Sequence, residues 1–300
     1  MIVYTVFGVF RGMQNTVWIM YASISGAIVN MILDYILVFG IGDFQPNMGI
    51  EGVAWASVFA QVIMLVIVTI IAKRKTIFAL FPKFTKPKPN PEFVTMLTMS
   101  ANMLIRTIEL NFTFYLANRY SISYGENYLA AHSILINIWV FSFFFIDGFS
   151  NAGNAISGKL LGKRDFKALS ILSKDLVKYN LIVAGVLALI FIALYPFLGS
   201  LFSNNEEVVS IFYSVFWIII IAQFISGITF TFDGIFKGLG ETAYLRNTLV
   251  LATFLVFWPL SYLLDWYDLK LYGVWISFVT WNIFRGASII YLFRKKYYTT

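Results

Sequence analysis

The sequence has no cysteine and a single histidine, His132. The first absence excludes disulfides and thiolate metal sites, and the second excludes a histidine-based metal cluster. Charge is scarce as well. Only 12% of the residues are charged, against about 25% in an ordinary soluble domain. A Gly-x-x-x-x-Gly-Lys-Ser/Thr loop is missing, so this chain offers no site through which ATP could drive work. There is also no Ser/His/Asp set and no paired-carboxylate site with a polar pocket of its own, which argues against an enzyme. What the 300 residues have in abundance is apolar surface: 59% are hydrophobic, with a mean hydropathy of +0.78. Too few charges exist to coat a soluble core of this size, so lipid must solvate most of the surface.

A spanning helix needs about 20 mostly apolar residues. Eight segments qualify, at 17–39, 51–72, 92–118, 128–157, 175–201, 208–236, 246–264 and 272–293. A ninth apolar piece, Met1 to Phe10, is too short to span and lacks the small-residue cleavage site of a signal peptide. It exits through Arg11-Gly12-Met13-Gln14-Asn15-Thr16, which reads as the end of a helix whose beginning is missing, and hence as an N-terminally truncated chain. The net charge of +7 would suggest nucleic acid in a soluble protein, but here it sorts by connector. Of the 22 Lys and Arg residues, only Arg119 and Lys270 lie in the alternate connectors, beside Asp43, Glu51, Glu126, Glu206, Glu207, Asp265 and Asp268. Arg106 and Arg285 lie within spans. All the others, from Arg11 through Lys73, Lys83, Lys159, Lys237 and Arg246 to Lys296, fall on one side. The positive-inside rule then places the C-terminus and the 73–91 loop in the cytoplasm. That loop, with Pro82, Pro87, Pro89 and Pro91, is basic, stiff and the best boundary in the chain.

One element recurs. Gly8-Val9-Phe10-Arg11-Gly12-Met13-Gln14-Asn15-Thr16 returns 226 positions later as Gly234-Ile235-Phe236-Lys237-Gly238-Leu239-Gly240-Glu241-Thr242. Gly52-Val53-Ala54-Trp55-Ala56-Ser57 is echoed by Gly273-Val274-Trp275-Ile276-Ser277-Phe278. Both copies of the first element fall on the cytoplasmic side, which implies parallel repeats about an axis along the membrane normal, as in several transporter folds.

Ionisable groups inside a membrane are costly, so each is a functional candidate. Asp34 lies four residues after Asn30, one turn on along the same helical face. The pair can coordinate Na⁺ or carry a proton, or simply clasp two helices by hydrogen bonding. Arg106 and Glu109 are i,i+3 neighbours, and Asp147 on the next helix is placed to reach Arg106. Such a network leaves one carboxylate free to titrate, which suits proton coupling; a buried salt bridge fixing two helices accounts for it equally. An i,i+4 pair explains Asp233 and Lys237, and Arg285 can snorkel towards the cytoplasm. His132 reads as a cap or clasp. Aromatics make up 19% of the chain. Those at helix ends, such as Trp266, Tyr267, Tyr272, Tyr297 and Tyr298, fit an interfacial belt, and Phe112, Phe114, Tyr115 and Trp139 are candidates to line a substrate cavity through their π faces.

The pattern Phe10-Arg11-Gly12-x-x-Asn15-Thr16, then Asn30-Met31-Ile32-Leu33-Asp34, Val38-Phe39-Gly40 and Met48-Gly49-Ile50-Glu51-Gly52-Val53-Ala54-Trp55-Ala56, resembles the multidrug and toxic compound extrusion (MATE) family. Arg106-Thr107-Ile108, Leu129-Ala130-Ala131-His132, Trp139 with Asp147-Gly148-Phe149, and Gly158-Lys159-Leu160-Leu161-Gly162 are similar to its DinF-type branch. Glu109 departs from that pattern. The resemblance implies an all-α, polytopic membrane helix bundle of two pseudo-symmetric lobes with the first incomplete, giving eight full spans plus a partial one. The implied division is 1–75 as the remainder of the N-terminal lobe, 76–91 as a cytoplasmic linker and 92–300 as a six-helix C-terminal lobe. It also implies secondary active antiport of H⁺ or Na⁺ against cationic or amphipathic compounds by alternating access. Asp34, Asn30 and the hydroxyl of Ser57 would form the N-lobe cation site, with no cofactor beyond the coupling ion. The expected setting is a bacterial inner membrane, with lipid and lipophilic small molecules as partners, a monomeric state, and no nucleic acid or ATP. The alternatives are a lipid-linked oligosaccharide flippase, for which several cavity-lining basic residues would be expected, and a non-transporting membrane fragment. A membrane acyl or glycosyl transferase would need an interfacial polar cluster that the short outer loops do not offer.

Overall fold

A computed structural model describes residues 2–41, 48–75 and 91–297. Most of the expected linker, with Lys83, Lys86 and Lys88, lies outside the described residues, as do Asp43 and Tyr298. Among the described residues the elements are helices: α1 (Ile2–Gly12), α2 (Val17–Phe39), α3 (Gly49–Lys75), α4 (Pro91–Ser123), α5 (Glu126–Lys163), α6 (Phe166–Phe202), α7 (Glu206–Gly238), α8 (Thr242–Ala252), a π-helical turn (Thr253–Phe257), α9 (Trp258–Trp266) and α10 (Lys270–Tyr297). Among the described residues seven stretches are long and apolar enough to cross a membrane: α2, α3, α5, α6, α7, the continuous α8–α9 run and α10. The departure from the eight expected spans is α4. It has 33 residues, enough for about 50 Å, but Asn102, Arg106, Glu109 and Asn111 interrupt its apolar character. Large apolar side chains stand exposed along the other helices, Leu189 and Phe197 at 68% each and Leu201 at 76% among them. Such surfaces fit a lipid solvent, where the helical backbone meets its hydrogen-bonding needs internally.

The chain divides into two compact units, Met1–Lys88 and Pro89–Thr300. In the first, small residues let α2 and α3 approach. A Cβ on Gly26 would stand 2.4 Å from Met64 Cγ, and one on Gly52 would stand 3.1 Å from the Leu37 carbonyl oxygen. α1 is packed through Val3, Val6, Phe7 and Phe10 into a core shared with Ala22, Val68 and Ala72.

In the second unit α7 is the central helix, in contact with α5, α6, α8 and α10. Small residues again set the separation, since a Cβ on Gly234 would lie 2.0 Å from the Ser150 carbonyl oxygen of α5. Asn180 of α6 donates to Thr231 Oγ1 at 2.9 Å and to the Gly227 carbonyl at 3.1 Å, tying α6 to α7. Asp165 and Asn205 cap the N-termini of α6 and α7 through their side chains. Pro259, in the first turn of α9, has no N–H to give and would crowd a carbonyl four residues back. The preceding π-helical turn accommodates this, and Thr253 of that turn accepts a hydrogen bond from Trp281 Nε1 at 3.1 Å.

The repeat seen in the sequence is also a repeat of backbone geometry. At the end of α1, Met13, Gln14 and Asn15 donate to the carbonyls of Val9, Arg11 and Phe10; at the end of α7, Leu239, Gly240 and Glu241 donate to those of Ile235, Lys237 and Phe236. The corresponding middle positions, Gln14 (φ 58°) and Gly240 (φ 75°), are both left-handed. This is the turn by which a helix satisfies its last carbonyls before the next helix begins.

Candidate functional site

The buried interior of the second unit falls into two apolar clusters. One runs from Leu116 through Phe212, Ile219 and Trp275 to Trp281, and the other from Leu169 through Phe232 and Ile235 to Ile289 and Phe293. Charged side chains lie where these clusters meet along α7 and α10. Asp233 of α7 is the hub. Its Oδ2 receives Arg106 of α4 and, at 3.3 Å, Arg285 of α10. The side chains of Asp233 and Arg285 are 3% and 2% exposed and that of Arg106 is 12% exposed, so one carboxylate balances two guanidiniums away from solvent. Arg285 also donates to Asn282 Oδ1 at 3.3 Å, and its guanidinium carbon stands 4.5 Å from the Trp281 ring centroid and 5.8 Å from that of Phe230.

This cluster opens onto a cavity with about 760 Å³ of empty space, including its opening to the surroundings. Its walls are Leu110, Phe114, Trp139, Val140, Phe143, Phe144, Phe230 and Trp281, and its charged lining is Arg106, Asp147, Asp233, Lys237 and Arg285. The lining follows helical periodicity: Arg106, Leu110 and Phe114 on α4; Trp139, Phe143 and Asp147 on α5; Phe230, Asp233 and Lys237 on α7; Trp281 and Arg285 on α10. An aromatic body with a few convergent polar groups is the usual form of a small-molecule site.

Several expectations are changed by these contacts. Glu109 does not pair with Arg106. It is buried beside Thr253 of the π-helical turn, with its Oε1 lacking a partner, because Arg106 turns to Asp233 instead. Asp147 does not reach Arg106 either; it accepts from Asn151 Nδ2 at 2.7 Å on its own helix and faces the same cavity. Asp233 pairs across helices rather than with Lys237. Arg285 does not snorkel, since Asp233 and two aromatic faces hold it inside. Trp139 and Phe114 line the cavity, but Phe112 and Tyr115 do not. Phe112 stacks on Phe254 at 5.9 Å and meets Trp258 at 6.2 Å, and Tyr115 is 58% exposed. On a helix with 100° between successive residues, positions 112 and 114 point to opposite sides. His132 is neither cap nor clasp: it is fully buried against Trp275, with both ring nitrogens unpartnered.

In the first unit Asn30 and Asp34 are half-buried on α2. Asn30 Nδ2 and Asp34 Oδ1 are each shielded from solvent without a hydrogen-bond partner, so these atoms do not make the hydrogen-bond clasp that is the alternative to a cation site. The unspent Asp34 Oδ1 is a carboxylate oxygen of the kind that Na⁺ or a proton would use, whereas the shielded Asn30 atom is an amide NH2, a hydrogen-bond donor. Ser57 is exposed on α3, with no hydrogen bond to either.

Comparison with known proteins gives a consistent answer. The MatE family model matches residues 101–263. The chain is 25% identical over 280 residues to Protein DETOXIFICATION 42 of Arabidopsis thaliana, covering 93% of this chain and 52% of that protein. It is 24% identical over 284 residues to DNA damage-inducible protein F of Escherichia coli, covering 90% and 57%. Among solved structures, a MATE crystal structure in the bent conformation superposes with a TM-score of 0.85 at 18% identity, covering 99% of this chain and 65% of that one. The chain therefore spans about half the length of the curated relatives it matches.

Proposed function

The chain belongs to the MatE family of multi-pass membrane proteins, and from that premise we propose that it works in secondary active efflux, exchanging H⁺ or Na⁺ for cationic or amphipathic compounds by alternating access. The observation that carries this reading is the cavity of the second unit: an aromatic chamber in a membrane helix bundle, with charged groups held inside at considerable desolvation cost. Asp34, with Asn30, is the proposed coupling-ion site, supported by the unspent carboxylate oxygen of Asp34. Asp147 and Lys237 belong to the substrate cavity, and the basic connectors support a cytoplasmic C-terminus.

The test is transport in everted vesicles from cells expressing the chain, using a fluorescent lipophilic substrate and an imposed H⁺ or Na⁺ gradient. Gradient-dependent uptake that is abolished in Asp34→Asn is expected. Uptake that ignores both gradients, or an Asp34→Asn variant that keeps full coupling, would count against the proposal.

A second reading gains from a specific observation. A flippase for a lipid-linked phosphate should gather basic residues in its cavity, and Arg106, Lys237 and Arg285 do converge. Asp233 and Asp147 offset two of the three charges. A polyanionic pyrophosphate would therefore meet only one uncompensated cation, which favours the efflux reading.

A further inference from the structure

The sign of the cavity is informative. Its lining carries three cations, Arg106, Lys237 and Arg285, against two carboxylates, Asp147 and Asp233. Asp233 is committed to both guanidiniums, and Asp147 is engaged by Asn151. Lys237 is half-buried one residue from the end of α7, and its side chain makes no salt bridge or hydrogen bond among the described residues. Arg106 Nε is likewise shielded from solvent without a partner. Two donors and one net positive charge thus stand unanswered in an environment that penalises both.

Part of the aromatic wall is already engaged by a cation of the protein itself. The faces of Trp281 and Phe230 are taken by Arg285, at 4.5 and 5.8 Å from the ring centroids. Phe143 packs edge-on against Phe230 at 4.8 Å. A cationic guest would meet a lining with one net positive charge and compete with Arg285 for two of its aromatic rings, whereas an anionic guest would supply the missing counter-charge.

We propose that this cavity binds an amphipathic organic anion, with one carboxylate or phosphate group received by Lys237 and Arg106 and an apolar body against Phe143, Phe144 and Trp139. The proposal rests on the transport reading for the role of the cavity and narrows its substrate class to the anionic member of the amphipathic compounds. The headgroup chemistry is shared by a free organic acid and an anionic lipid.

The experiment is a fluorescence binding titration on the purified chain in detergent micelles, with dansyl-labelled undecanoate and a dansyl-labelled alkyl trimethylammonium of equal chain length. Undecanoate is expected to bind about ten-fold tighter than the cation, the scale of one charge-assisted hydrogen bond. Lys237→Gln should weaken undecanoate binding by a similar factor and Lys237→Arg should retain it. Asp147→Asn, which raises the net charge by one, should tighten it. Opposite effects from two neighbouring substitutions would not arise from a structural role, and Asp147→Asn keeps the proposal testable if Lys237→Gln fails to fold. Displacement of the probe by phosphatidylglycerol would assign the site to a lipid headgroup, and displacement by decanoate alone to a free acid. Equal or tighter binding of the cation, or displacement by neither competitor, would overturn the proposal. The transport reading fails separately: loss of gradient-driven uptake with undecanoate binding intact counts against it alone. Uptake of a lipophilic cation that ignores Lys237 and Asp147 counts against the anion site alone.

Discussion

Replacing Asp233 by Asn removes the one carboxylate that balances two buried guanidiniums. The Arg285 and Asp233 side chains are 2% and 3% exposed, so water cannot take over the lost role. Breaking a buried ion pair from one side costs about 3–5 kcal/mol, because the remaining charge stays desolvated. Removing Arg106 instead leaves a balanced pair, Asp233 with Arg285 at 3.3 Å. That substitution forfeits one charge-assisted hydrogen bond, about 1.5–3 kcal/mol, from the more accessible guanidinium. The expected order of destabilisation is therefore Asp233→Asn, then Arg285→Gln, then Arg106→Gln. In a unit of this size about 4 kcal/mol corresponds to a midpoint lower by about 10 °C. The measurement is intrinsic-tryptophan thermal unfolding in detergent micelles, where Trp281 lies against the cluster. The triple replacement Arg106→Met, Asp233→Leu and Arg285→Met removes every charge at once and should recover most of the lost stability, as apolar replacement of buried charge networks does. An Asp233→Asn midpoint close to wild type, or an Arg106→Gln variant less stable than Asp233→Asn, would refute the hub assignment.

Gly234→Ala places a Cβ 2.0 Å from the Ser150 carbonyl oxygen, a backbone atom that cannot swing aside. Forced separation of α5 and α7 should cost about 1–3 kcal/mol or more, read as a lowered unfolding midpoint, while Gly148→Ala, which meets nothing within 4 Å, should be near neutral. Tyr124, in the α4–α5 connector, donates to Asp265 Oδ1 at 2.7 Å; burial first, then that hydrogen bond and the Asp265 charge, raise its pKa above the usual tyrosine value. Stability from this contact is complete below about pH 10 and is lost as pH rises above it, since the unfolded phenol ionises first. Tyr124→Phe should flatten that alkaline fall in the unfolding midpoint, and an unchanged slope would count against it. Trp139→Ala and Phe143→Ala should each weaken binding of a lipophilic probe several-fold, whereas Phe112→Ala and Tyr115→Ala should not; equal effects from all four would place the cavity elsewhere on α4.

Composition and patterning alone carried the reading to a membrane helix bundle, because twenty-residue apolar runs and sorted loop charges arise from the solvent rather than from tertiary contacts. The Phe-basic-Gly repeat was legible for a similar local reason: its residues build a helix end whose three backbone hydrogen bonds recur at both sites. On α4 Arg106 and Glu109 were visible as ionisable neighbours at helical spacing, and so was the Asn30–Asp34 pair on α2. Sequence separation, however, favours neighbours on one helix. It joined Arg106 to Glu109 and Asp233 to Lys237, each pairing plausible at three or four residues. The structure sends both Arg106 and Arg285 to Asp233 over 127 and 52 residues, because the close α5–α7 approach and the rotation of α4 and α10 about their axes bring those three groups to one depth. Rotation about a helix axis also decided that Phe114 lines the cavity while Phe112 turns away. Which charges a membrane protein must bury was written in its sequence; which partner neutralises each one, and which cation is left over, was decided only when the helices packed.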